Sequence, residues 1–225
     1  MSANPSNVTA MPVQFTVAYA PTVTRPTTNK IFTVKTLADM IAQYPPVDPA
    51  VAAALLEQHG SKRGHLEIKR LGPIIYLGRY LDGSRTRTAS NIEAVTGIGL
   101  DFDERAGDRV DRAVFLEACR RLDVQVVIYN TYSTEDCYTF RAVFPLAEEL
   151  AVDCYYAAVA KLIEFLDGLG PKTILPPTQG YFLQSRAGSS PDVKAVFGRP
   201  VDVVLDYFLL EAVADAAAPV GGGHR

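Results

Sequence analysis

The stretch Gly97-Ile-Gly-Leu-Asp-Phe-Asp103 constrains this 225-residue chain more than any other part of it. In an extended strand, successive side chains point to opposite faces. Ile98, Leu100 and Phe102 then form an apolar face that helices must cover. Gly97, Gly99, Asp101 and Asp103 form the other face. Two carboxylates two residues apart repel each other unless a cation relieves them. On an open face the pair can bridge a divalent ion, and the neighbouring glycines leave room for a ligand. A bare Asp-x-Asp specifies a metal better than it specifies a reaction.

The flanking pattern supplies the sheet. Val95 to Asp103 reads as a strand, Asp108 to Leu122 as a helix and Val124 to Asn130 as a second strand. A polar loop from Thr131 to Tyr138 leads into a third strand, Thr139 to Pro145. Asp153 caps a helix through Leu166, which Gly168 and Gly170 stop, and Tyr181 to Gln184 is a fourth strand. The order βαββαβ predicts an α+β fold with an RRM-like, split βαβ sheet. Its first and third strands are adjacent and central. Phe140, Ala142 and Phe144 share one face of the third strand, and Thr139, Arg141 and Val143 the other. Arg141 therefore falls near Asp101 and Asp103, where it suits a phosphate group or makes a plain ion pair. Val193 to Phe197 and Val201 to Leu205 read as further strands.

Ahead of this core, Val13 to Ala20 alternates as a strand, and a Pro/Thr-rich loop runs to Lys30. A helix opens at Thr36 and ends near Tyr44, where Pro45-Pro46 breaks the chain. Asp48-Pro49 starts a second helix through Ala52 to Gln58, with Gly60 as its stop. Leu66 to Leu81 reads as two short strands separated by Gly72-Pro73. The resulting division is an N-terminal α/β part with a basic segment (1–90), a catalytic core (91–210) and a flexible tail (211–225).

Composition narrows the chemistry. Hydrophobic residues make up 48% and charged residues 21%, which suits a globular chain. No run reaches the roughly 18 apolar residues of a membrane span, and the polar N-terminus lacks a signal-peptide pattern. A cytoplasmic setting is expected. The three cysteines (Cys119, Cys137, Cys154) and three histidines (His59, His65, His224) have no metal-site spacing. Any metal is then a hard ion on carboxylates, magnesium or manganese. Residues 1–100 hold 10 Lys+Arg against 6 Asp+Glu, and residues 101–225 hold 12 against 19. The basic excess sits in Ser61 to Arg87, including Lys62, Arg63, Lys69, Arg85 and Arg87. Such a segment beside an acidic pair suits a polyanion that must reach a metal, or is a solvated surface.

Three segments together resemble the primase–polymerase domains of the archaeo-eukaryotic primase superfamily, those of phages and plasmids above all. They are Asn91-Ile-Glu-Ala-Val-Thr-Gly-Ile-Gly-Leu-Asp-Phe-Asp103, Val127-Ile-Tyr-Asn-Thr-Tyr-Ser133 and Phe140-Arg-Ala-Val-Phe-Pro-Leu146. Arg85-Thr-Arg87 and Pro177-Thr-Gln-Gly-Tyr-Phe182 also fit that group, so the resemblance spans about residues 65–185. It implies an RRM-like catalytic sheet and metal-dependent nucleotidyl transfer on a single-stranded DNA template, with magnesium or manganese as cofactor.

The same resemblance implies residue roles. Asp101 and Asp103 match the metal-binding acids. Ser133, Thr134 and Arg141 match nucleotide-binding positions, with Thr134 where the family has histidine. The third acid is Asp167, or else Asp153. Lys62, Arg63, Arg85 and Arg87 would contact nucleic acid. Lys172, Arg186 or the basic segment would stand in for the missing imidazole. No GxxxxGK[ST] loop occurs, so a replicative helicase would be a separate partner. A nucleic-acid-binding protein of the same fold without turnover is the second reading. A phosphatase using the first aspartate lacks its accompanying motifs. A plain RNA-recognition motif would put stacking aromatics where Asp101, Asp103 and Arg141 stand.

Overall fold

The computed structural model describes residues 12–22, 25–81, 88–131, 137–183 and 191–205. In chain order the elements are strands β1 (Phe15–Ala20) and β2 (Thr28–Phe32), helices α1 (Val34–Gln43) and α2 (Pro49–Arg70), and strands β3 (Ile74–Tyr76), β4 (Gly78–Tyr80) and β5 (Ile92–Phe102). Helix α3 (Arg112–Arg121), strands β6 (Val126–Asn130) and β7 (Phe140–Leu150), helix α4 (Tyr155–Phe165), strands β8 (Gly180–Phe182) and β9 (Val193–Val196) and helix α5 (Val201–Val204) follow. The fold is α+β, with two antiparallel sheets: a five-stranded one ordered β4-β5-β7-β6-β9 and a four-stranded one ordered β2-β1-β3-β8.

The β5-α3-β6 unit is a split βαβ, because β7 lies antiparallel between its two strands. Ile98, Leu100 and Phe102 of β5 and Phe140, Ala142 and Phe144 of β7 face α3 and α4, packing on Phe115, Cys119, Val159 and Leu162. Phe102 stacks on Phe140 with ring centroids 4.3 Å apart. Each buried aliphatic or aromatic side chain here removes enough apolar surface for about 1.5–3 kcal/mol.

The opposite face of the large sheet is not open. Val127, Tyr129 and Val143 pack against Phe15, Val17, Ile75 and Tyr181 of the small sheet and Leu37 and Ile41 of α1. The large sheet is thus covered on both sides. The sheets also exchange strands across the boundary expected near residue 90. β4 joins the large sheet by pairing with β5, and β8 joins the small sheet by pairing with β3. The fourth strand, read as part of the βαββαβ sheet, is therefore in the other sheet, since β4 already fills the edge beside β5. Its expected last residue, Gln184, and the tail beyond Leu205 lie outside the described residues.

Four other expectations change. Thr28–Phe32 is a strand, not loop, because β1 offers it a partner, Phe15 opposite Phe32. Helix α1 starts earlier, at Val34, with Thr33 and Thr36 forming the capping box. Gly60 (φ 71°, ψ 170°) breaks α2 without ending it, and the chain stays helical through Arg70, including Leu66 to Arg70. Val201 to Val204 is helical, with the buried Asp202 accepting the Ala147 and Glu148 backbone N–H groups at 2.9 and 2.8 Å. No helix among the described residues is long and apolar enough to cross a membrane.

Candidate functional site

The β5–β7 register sets Asp101 directly opposite Arg141. Arg141 Nε donates to Asp101 Oδ1 at 2.8 Å, and Nη2 to Oδ2 at 3.4 Å. Arg141 Nη1 donates to the Phe182 carbonyl at 3.0 Å, tying β8 to the large sheet. The Arg141 side chain is 9% exposed and that of Asp101 24%, so the pair is largely withdrawn from water. Burial works to lower the guanidinium pKa, but the Asp101 charge and hydrogen bond, with Tyr129, outweigh it and raise it. Arg141 stays a cation, held by Asp101 and by the Phe182 carbonyl.

Asp103 follows where β5 ends. Its Oδ1 accepts the Arg105 N–H at 2.9 Å, capping the short turn Glu104–Ala106. Its own N–H donates to Asp108 Oδ2 at 2.9 Å, while Asp108 Oδ1 accepts the Lys172 N–H at 2.8 Å. Asp108 is only 3% exposed. It fixes the backbone that presents Asp103, where the sequence pattern predicts only the start of a helix that in fact begins at Arg112. A polar residue in the loop between an acidic strand end and a helix was the available signal.

The two glycines leave no room for a ligand. A Cβ on Gly97 would meet the Phe144 carbonyl at 3.1 Å and Leu77 at 3.5 Å. One on Gly99 would meet the Tyr181 hydroxyl at 2.3 Å. Their bareness admits the small sheet against β5.

Lys69, in the last turn of α2 and in a segment expected to be a strand, is near enough for the charges of this site to act on it. The charges acting on it are those of Arg141, Asp101, Asp103 and Arg105. Burial, then the Arg141 charge, holds its ammonium below the usual lysine range, while Asp101 and Asp103 act the other way. Two acids thus stand among three cations.

The other predicted residues are dispersed. Asp167 follows α4 with φ 57° and pairs with Arg121 at 2.8 Å. Both belong to the helix layer, so Asp167 is not brought to Asp101 and Asp103. Asp153 lies in the turn Val152–Cys154 ahead of α4. Lys62 and Arg63 are exposed on α2 beyond the Gly60 break. Arg79, in the same basic stretch, is held by Glu93 and Glu149. Arg85, Arg87, Ser133, Thr134 and Arg186 lie outside the described residues.

The donor set suits one hard cation better than two. Among the described residues no group of three or more His, Cys, Asp or Glu side chains converges. Magnesium commonly binds through one or two carboxylates plus phosphate oxygens and water. Asp101 and Asp103 are the two carboxylates here that could serve an ion delivered with a phosphate.

No family model matches the chain, and no curated protein matches it. Among solved structures, the chain is similar to the AEP domain of the cyanophage S-2L primase-polymerase (PrimPol), at 14% identity and a TM-score of 0.41 over 87% of this chain and 89% of that one.

Proposed function

We propose that this chain is a primase/polymerase-like replication protein of a mobile element, working in the cytoplasm of a bacterial or phage-infected cell. It has an RRM-like catalytic core and carries out metal-dependent nucleotidyl transfer on a single-stranded DNA template. One observation carries the reading: Asp101 on β5 pairs with Arg141 on β7 near one end of the central strands, with Asp103 two residues on and Lys69 near enough for their charges to act on it. The order of the three resembling segments supports it. Asp101 and Asp103 hold magnesium or manganese, which activates the attacking 3′-hydroxyl and neutralises the triphosphate when bound. Arg141 and Lys69 orient phosphate oxygens, Arg141 through its planar fork and Lys69 as a point charge. Exposed Lys62 and Arg63, with Arg85 and Arg87, steer the template, and Ser133 and Thr134 approach the nucleotide. A separate helicase would open the duplex.

The Arg141–Asp101 bond favours a second reading, a nucleic-acid-binding replication protein without turnover. Primer synthesis on single-stranded DNA with magnesium or manganese separates the two. Incorporation by the wild type that disappears in the Asp101→Ala, Asp103→Ala double variant supports the enzyme. Template binding without incorporation in either protein supports the second reading.

A further inference from the structure

The guanidinium of Arg141 stands on Asp101 where a metal ion would have to bind. We infer that Arg141 is a resident cation that masks the site, so that a divalent ion binds well only together with a triphosphate. This rests on the nucleotidyl-transfer reading above and adds an order to it: neither free metal nor free nucleotide completes the site alone.

The argument is one of charge and available partners. Both Asp101 oxygens face Arg141, at 2.8 and 3.4 Å, and the pair is largely dehydrated. A divalent ion arriving alone meets a carboxylate already compensated, with the charges of Lys69 and Arg105 close by. Like charges in a dehydrated site disfavour it strongly. A triphosphate changes the balance, because its oxygens accept the guanidinium fork and free Asp101 for the metal.

A second place for the side chain is built in. Tyr129 lies opposite Arg141 on its other flank, and its buried hydroxyl is already within reach of the guanidinium without a well-aligned hydrogen bond to it. The Phe182 carbonyl, which Arg141 Nη1 already holds, anchors the pivot. Turning from Asp101, the guanidinium can donate to the Tyr129 hydroxyl and to phosphate together. Linkage makes the effect reciprocal: whatever factor triphosphate adds to metal affinity, metal adds to triphosphate affinity.

Manganese binding tests this without activity, by the loss of the free-ion paramagnetic signal. Wild type, Arg141→Gln, Arg141→Lys and the Asp101→Ala, Asp103→Ala double variant are titrated with Mn2+, each with and without an α,β-methylene nucleoside triphosphate. With the metal bound by free analogue subtracted, the analogue should tighten Mn2+ on wild type at least about tenfold, the least that one neighbouring charge does to an ionisation. Arg141→Gln should bind Mn2+ alone at least about tenfold tighter than wild type and lose most of that coupling. Arg141→Lys should stay close to wild type without the analogue. Should Arg141→Gln fail to fold, the wild-type pair of titrations decides. Equal Mn2+ affinity with and without analogue overturns the masking role. If the double variant alone then loses binding, the metal site and the functional reading survive. If no protein binds Mn2+ under either condition, both fall.

Discussion

Tyr181 lies over Gly99, its hydroxyl donating to the Gly99 carbonyl at 3.1 Å. One residue from the small sheet thereby closes the face of β5 beside Asp101. A methyl at position 99 would stand 2.3 Å from that hydroxyl and 2.9 Å from Leu77 Cδ1. Gly99→Ala should therefore lose roughly 1–3 kcal/mol of stability from overpacking, with Tyr181 forced off its carbonyl. Urea unfolding measures the loss. A variant as stable as wild type would mean that the two sheets are looser here than described.

Truncating Arg141 should be costly for the fold. Arg141→Ala leaves Asp101 and the Phe182 carbonyl without their shared donor in a largely dry place. Breaking a buried pair in this way costs about 3–5 kcal/mol. Thermal unfolding should register it, with Arg141→Lys losing less. An unchanged midpoint would show that water replaces the guanidinium freely.

Asp108 is expected to matter more than its position outside the acidic pair suggests. Asp108→Ala removes the acceptor for the Asp103 and Lys172 N–H groups. Each unsatisfied donor costs about 1–3 kcal/mol. Mn2+ affinity should fall in parallel with stability, because the Asp103 backbone loses its tether. Asp108→Asn, which keeps one acceptor oxygen, should recover part of both.

Lys69 offers a test with little structural cost, since it is only partly buried. Lys69→Gln should weaken triphosphate binding by roughly 1.5–3 kcal/mol, the contribution of a charge-assisted hydrogen bond. Isothermal titration with a non-hydrolysable analogue reads it directly. Unchanged affinity would assign Lys69 to the fold alone.

Alkaline titration should divide the tyrosines. Burial pushes Tyr129 and Tyr155 up to about 12, and burial with the Tyr44 hydroxyl does the same to Tyr19. These phenols keep their protons in the folded chain after an unfolded chain has begun to lose its own near pH 10. The stability they contribute is thus complete below about pH 10 and declines as pH rises toward 12. Absorbance at 295 nm should show exposed tyrosines ionising first, and these three only at about 12 or on unfolding.

Strand β5 and its facing were legible because alternation is a local property: Ile98, Leu100 and Phe102 do meet the helices. The Asp101–Arg141 contact was legible too, since a split βαβ makes the first and third strands neighbours. What covers the other face was not. Gly97 and Gly99 read equally as space for a ligand or for a packed side chain, and only Leu77 and Tyr181, distant in sequence, decide between them. Lys69 was hidden for a related reason. Its segment carries Leu66 and Ile68 at alternating positions, which mimics a strand, whereas the helix that resumes after Gly60 turns Ile68 inward and brings Lys69 within range of the acids' charges.

The exchange of β4 and β8 between the sheets has a kinetic consequence. Ile75 finds its partner Tyr181 only after the chain has passed through β4, β5, β6 and β7 of the large sheet. Contacts of such sequence separation are late to form and slow, because loop closure precedes any gain from burial. Neither sheet is complete until most of the chain has been synthesised, so a nascent fragment ending before β8 carries β3 with an unpaired edge. Folding should be cooperative across both sheets, and a fragment starting at residue 91 would lack β4 and leave the backbone of β5 exposed along one side.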